Sequence, residues 1–262
     1  MSKQRMELAK VELPGRDPLL PWLIFTGVSL FAFVLLWYFG LIARMVESDR
    51  TYISILIVLL YVLSSLHCLW RILAVSREGE SAVRTARAVE EGGFLEKEGL
   101  PGGLLAAHIR DLVAKATLQG VMGRGGARLD QTLLLRVLAD RLRGSNQFGA
   151  FASDTLMKLG LLGTIIGFIL MLAPIGGLDP ENREAVRSSM SLMSGGMAVA
   201  MYTTLAGLAA SILLKIQYSM LDRATARIFA FAVDLTEVHV VSALEGRALE
   251  GRALEGQAAP AE

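Results

Sequence analysis

The sequence predicts an all-α polytopic membrane protein with four transmembrane helices and long helical extensions outside the bilayer. Three observations carry this. The 262 residues are 53% hydrophobic and 19% charged, with a mean hydropathy of +0.49, against about 45–50% apolar and about 25% charged in soluble domains. Four separate runs reach the roughly 20 apolar residues that cross a hydrocarbon core about 30 Å thick. Helical periodicity then continues beyond the last of these runs.

The chain opens with a polar segment, residues 1–18, expected to be a retained cytoplasmic stretch. The apolar run after it is too long for a signal-peptide core and lacks a small-residue cleavage site. The first span is Leu19 to Leu41, with Trp22, Trp37 and Tyr38 near its ends, where aromatic belts sit. The second is Tyr52 to Trp70, closed by Arg71, so residues 19–70 form two peripheral spans. The third is Leu159 to Leu178, and the fourth Met190 to Leu214, closed by Lys215.

Lysine and arginine counts orient the spans. Lys3, Arg5, Lys10 and Arg16 precede the first, and Arg71, Arg77, Arg84, Arg87, Arg136, Arg141 and Arg143 crowd the middle segment. Lys215, Arg223 and Arg227 follow the fourth, whereas the two short loops hold only Arg44 with Arg50 and Arg183 with Arg187. Both termini and the middle segment are therefore expected in the cytoplasm.

Residues 71–157 read as a cytoplasmic helical domain. "AVRTARAVEE", "LLAAHIRDLVAKAT" and "DQTLLLRVLADRL" have helical spacing, separated by the breakers "EGGFLEKEGLPGG" and "QGVMGRGGAR". So short a segment is near the lower limit for an independent core and is expected to pack on extensions of the membrane helices. One extension is visible: Leu221, Ala224, Ile228, Phe231, Leu235 and Val238 recur at three and four. A single helix from Met190 to Val241 would be roughly 75 Å long. Residues 158–241 thus form two spans plus a cytoplasmic extension. The tail, 242–262, repeats "ALEGR" with a period of five, which is no helical period, and is expected to be disordered.

Several function classes fall away. A net charge of +1 gives no basic field for nucleic acid. The single Cys68 excludes an internal disulfide and a multi-cysteine metal site. Three histidines, no carboxylate pair at a membrane face and no nucleophile–base arrangement argue against an enzyme. "GRGGAR" lacks the following lysine of a phosphate loop.

The chemistry concentrates in the last two spans. Gly160, Thr164, Gly167 and Met171 share one face of the third, with Gly163 beside it; Gly196, Ala200, Thr203, Thr204, Gly207 and Ser211 do so on the fourth. Small residues let helix backbones approach in lipid. Each threonine can simply bond back to its own helix, but three of them within small-residue faces also suit the wall of a narrow polar path. Neither span holds an Asp or Glu. Proton relays through membranes need an ionisable group, so a conducted proton would require a carboxylate from another chain. His67, the only ionisable residue inside a span, is expected to pack or snorkel. Asp154 and Lys158, at i and i+4 by the cytoplasmic mouth, read either as shaping an ion exit or as a helix-surface pair. Arg136, Asp140, Arg141 and Arg143 read as a rotor contact or as a solvated basic face.

"LGLLGTIIGF", followed about 30 residues later by "GGMAVAMYTTLAGLAASI", closely resembles the two core helices of the MotA/TolQ/ExbB proton-channel family. The resemblance implies a ring, a homopentamer whose third and fourth helices surround a pore, in a bacterial inner membrane. It implies a dimeric single-span partner resembling MotB, TolR or ExbD that brings a membrane aspartate. It also implies a pore lined by Thr164 and Thr204, with Thr203, Gly160, Gly167, Gly196, Ala200, Gly207 and Ser211 around them. No cofactor is expected; the driving force is the proton or sodium gradient. Two features depart from one branch or another. Val199 stands where the ExbB branch carries a glutamate, and four spans fit the MotA layout whereas the motif spelling fits TolQ and ExbB. A non-conducting membrane scaffold for a partner is the alternative.

Overall fold

The computed structural model describes residues 18–40, 42–43, 45, 52–91, 100–118, 130–177, 182–244 and 246. Arg44, Arg50, Leu41, Leu178, the "GRGGAR" stretch, the N-terminal basic residues and nearly all of the repeat tail lie outside them. Among the described residues every regular element is helical. In order they are α1 (Leu19–Tyr38), α2 (Ile53–Glu90), α3 (Leu104–Leu118), α4 (Thr132–Arg143), α5 (Gln147–Leu172) and α6 (Arg183–Leu235). Short 3₁₀ turns cover Gly144–Asn146 and Ala173–Gly177, and a wide π turn covers Thr236–Val241. Four helices, α1, α2, α5 and α6, are long and apolar enough to cross a membrane.

The chain divides into two compact units. The apolar unit comprises Leu19–Arg71 and Ser145–Leu221. Its α1 buries only Trp22 and exposes leucine and phenylalanine on its other sides. Such a surface, costly in water, carries no penalty against lipid tails, which are as apolar as leucine. Gly40 ends the helix, taking the left-handed φ of +70° that glycine adopts without strain at this cap position. The interior is made where α2, α5 and α6 meet: Ile57, Cys68, Leu156 and Leu214 are at most 1% exposed.

The polar unit comprises Ile72–Gly144 and Asp222–Glu262 with the short leading segment to Pro18. Here α3 and α4 pack together and onto the distal parts of α2 and α6. Ala106, Ile109, Leu112 and Ala116, spaced at three and four along α3, are wholly buried. The carboxylate of Glu78 on α2 accepts the Leu104 N–H at 3.1 Å, satisfying a donor at the free N-terminus of α3. Gln131 Nε2 donates to the Glu237 carboxylate, tying the start of α4 to the π turn. Burying Ile109 and Leu112 contributes about 1.5–3 kcal/mol each in water, so helices too short to stand alone are held by their partners.

The predicted stripe on α6 holds for Leu221, Ala224, Ile228, Phe231 and Leu235, all less than a tenth exposed. Val238 breaks it, at 54% exposed. The cause is the π turn, whose i→i+5 bonding inserts an extra residue and rotates the positions after it. Thr236, Val240 and Leu244 take the inward positions instead, each fully buried.

Candidate functional site

Within the apolar unit α5 and α6 run antiparallel along a glycine seam. A Cβ on Gly207 would lie 2.7 Å from Gly160 Cα and 2.8 Å from Leu156 O. One on Gly167 would lie 2.6 Å from Ala200 N, and one on Gly196 2.5 Å from Met171 N. The pairs 160/207, 163/203, 167/200 and 171/196 therefore face each other, one helix ascending as the other descends. The three atoms nearest an added Cβ are all backbone at both Gly196 and Gly207. No rotamer change can make room, so the close approach is written into the main chain.

The three threonines fall differently on this seam. Thr203 is wholly buried, its side chain filling the space left by Gly163, where an added Cβ would come within 2.3 Å of Thr203 Oγ1. Its hydroxyl donates to Val199 O at 2.8 Å. With no exposed atom, it is a packing residue of the seam, in contrast with the wall position expected from sequence. Gly160, Gly167, Gly196 and Gly207 are likewise buried between the two helices, while Ala200 and Ser211 are half-buried.

Thr164 and Thr204 are half-buried and reach the surface at one level of the seam, each next in sequence to a member of the 163/203 pair. Thr164 Oγ1 donates to Leu161 O at 2.6 Å. Thr204 Oγ1 lies 3.0 Å from Ala200 O and 3.3 Å from Gly160 O, the second across the seam. A hydroxyl has one proton to donate and two lone pairs to accept with. Both protons are directed at carbonyls, so both oxygens present acceptor character outward. Such oxygens can accept a hydrogen bond from a proton-bearing group, such as a neutral carboxylic acid or water, and offer no charge of their own. The surroundings are apolar: Leu161, Ile165, Met201 and Leu205 are each more than half exposed.

Asp154 and Lys158 form an i, i+4 ion pair at 2.5 Å on the surface of α5, with side chains 49% and 70% exposed. An exposed pair of this kind contributes about 0–1 kcal/mol. Arg136, Asp140, Arg141 and Arg143 are all exposed on or beside α4.

A second polar cluster of the apolar unit was invisible in the sequence. His67 Nδ1 lies 2.7 Å from Tyr218 Oη, and Tyr218 Oη lies 3.3 Å from Ser64 O. The His67 ring also meets Phe148 edge-on at 5.0 Å. Gly149 makes this possible, since a Cβ there would fall 2.0 Å from the Tyr218 ring. One turn past His67, Arg71 donates to Asn146 Oδ1 at 3.3 Å, and Gln217, fully buried, reaches Thr26 at 3.4 Å. His67 thus packs through a specific hydrogen bond that joins α2 to α6. Residues 67 and 218 lie too far apart in the chain for any local pattern to announce the pairing.

Among the described residues no group of His, Cys, Asp or Glu side chains is arranged to hold a metal ion. Residues 106–231 match the family model described as the MotA/TolQ/ExbB proton channel family. No curated protein and no solved structure matches the chain.

Proposed function

We propose, from the match of residues 106–231 to the MotA/TolQ/ExbB proton channel family, that this chain is the ring-forming channel subunit of an ion-driven motor. A multi-pass membrane protein of this family has a proton-channel role in energy-coupling complexes. In the proposed assembly, five copies in a bacterial inner membrane place their α5–α6 pairs around a central path, with both termini in the cytoplasm. Within it sits a dimeric single-span partner of the MotB, TolR or ExbD kind, whose membrane carboxylate takes up and releases the ion. The chain itself catalyses no bond-making reaction.

The observation that carries this reading is the pairing of a backbone-tight glycine seam with two acceptor hydroxyls, Thr164 and Thr204, at one level of it. The seam keeps the wall rigid. The hydroxyls give a protonated carboxylic acid a hydrogen-bond partner as it passes. No carboxylate stands in either span to trap the proton, which fits a titrating group supplied in trans. Proton and sodium gradients are both compatible with neutral hydroxyls.

The scaffold reading has one observation in its favour: each threonine hydroxyl already has a carbonyl partner within its own protomer. Replacing Thr164 and Thr204 together by valine separates the two. With the partner co-expressed and the complex in proteoliposomes, gradient-driven proton flux is expected to fall about 5- to 100-fold, the loss of two neutral hydrogen bonds of about 0.5–1.5 kcal/mol each. Unchanged flux from an intact complex would leave the scaffold.

A further inference from the structure

We propose that the polar unit holds a binding cleft for one anionic phospholipid, formed where α2 and α6 run side by side. A cavity of about 330 Å³ opens there. Its floor is apolar: Val75, Gly79 and Val83 recur every four residues on α2 and face Ala224 and Ile228 of α6. Gly79 keeps the floor flat, with Ile228 Cδ1 3.5 Å from where its Cβ would stand. The rim carries Arg84, Arg87 and Arg227 against a single carboxylate, Glu80. Among the described residues Glu80 pairs with Arg84, at 3.9 Å, and both side chains are about two-thirds exposed. The rim therefore keeps a surplus of two positive charges over an apolar trough.

That pairing of surfaces selects an amphiphile. A small free anion would make no use of the trough, and an aliphatic chain alone would leave the guanidinium groups unanswered. Position selects a lipid. Pro18, which closes one side, is the residue before α1, and Val75 stands one turn beyond Arg71, where the second apolar run ends. Side chains on a helix lean toward its N-terminus, here toward the apolar runs of α2 and α6. Arg84 Nε reaches back to Glu80 O at 3.5 Å and Arg227 Nε to Arg223 O at 3.4 Å. Each guanidinium is thereby returned by about one turn, 5.4 Å, toward the apolar run of its own helix. A phosphate among the three arginines with an acyl chain along Val75, Val83 and Ile228 satisfies both surfaces.

The test is native mass spectrometry of the full chain in mild detergent, titrated with dioleoyl phosphatidylglycerol or dioleoyl phosphatidylcholine. The wild type is expected to retain one phosphatidylglycerol per chain and to discriminate against phosphatidylcholine. Each Arg→Gln change at positions 84, 87 and 227 should weaken retention about fivefold. Glu80→Gln, which removes the opposing carboxylate, should strengthen it and so reports on the site even if an arginine variant fails to fold. Equal retention by the wild type and the triple variant would overturn the proposal. So would an unchanged affinity in Glu80→Gln, or full displacement of the lipid by inorganic phosphate, which would make the cleft a soluble-anion site.

Discussion

Gly195 and Gly196 are neighbours on α6 with opposite surroundings, and substituting each by alanine gives a paired test of the seam. Around Gly195 nothing lies within 4 Å of an added Cβ; around Gly196 the Cβ would meet Met171 N at 2.5 Å, Gly167 O at 2.8 Å and Met171 Cα at 2.8 Å. Ordinary carbon contacts lie near 3.5–4.0 Å, and opening a gap of 0.5–1 Å forfeits about a quarter to a half of each contact's attraction. Relieving Gly196→Ala therefore requires α5 and α6 to part by nearly 1 Å along their whole crossing, an overpacking cost of about 1–3 kcal/mol. Gly195→Ala adds only the helix propensity of alanine, a gain of up to about 1 kcal/mol. Reversible unfolding of the purified full chain in mixed detergent micelles, followed by helical circular dichroism, measures both. A shift of the same sign and size for the two variants would refute the seam as the source of tight packing.

Thr203→Val is nearly isosteric and removes a buried hydroxyl that bonds only its own helix, so stability should change by less than about 1.5 kcal/mol, with proton flux retained; a loss of flux like that of the Thr164 and Thr204 variants would return Thr203 to the wall. His108 lies buried in the polar unit, and burial lowers its pKa below the ordinary 6.5, against a smaller opposing effect of Asp111. The unfolded chain then binds a proton that the folded one refuses, so stability is highest above about pH 6.5 and declines as pH falls below it. His108→Gln should flatten that decline in thermal melts at pH 5 to 8, and an identical slope in both proteins would contradict the assignment. Asp154→Asn should leave both stability and flux within about 0.5 kcal/mol of wild type; a large loss of flux would make the pair part of the ion exit.

The four spans were legible because hydropathy and length suffice to read them, and the seam because Gly160, Gly167, Gly196 and Gly207 repeat at helical spacing. The sequence was ambiguous at the scale of one residue. Thr203 and Thr204 both fall on the small face, and only the register with α5 turns the first inward and leaves the second half-buried. Val238 was misplaced for a related reason: a π turn has no periodic signature and shifts every later residue. The contacts of His67 with Tyr218 and of Gln217 with Thr26 join residues more than a hundred positions apart, where no spacing rule applies. The arginine-rimmed cleft escaped for the same reason, since Arg87 and Arg227 become neighbours of one cavity only when α2 and α6 lie together.

The proposed channel wall works on a membrane carboxylate that neither of its two spans, Leu159 to Leu178 and Met190 to Leu214, contains. Native mass spectrometry of the complex purified in mild detergent from its own host tests this most directly. A channel subunit of this kind should appear as five copies of the chain with two copies of a single-span protein bearing a membrane aspartate. A lone monomer or dimer without such a partner would contradict it, and Thr164 and Thr204 would then be packing residues of a scaffold.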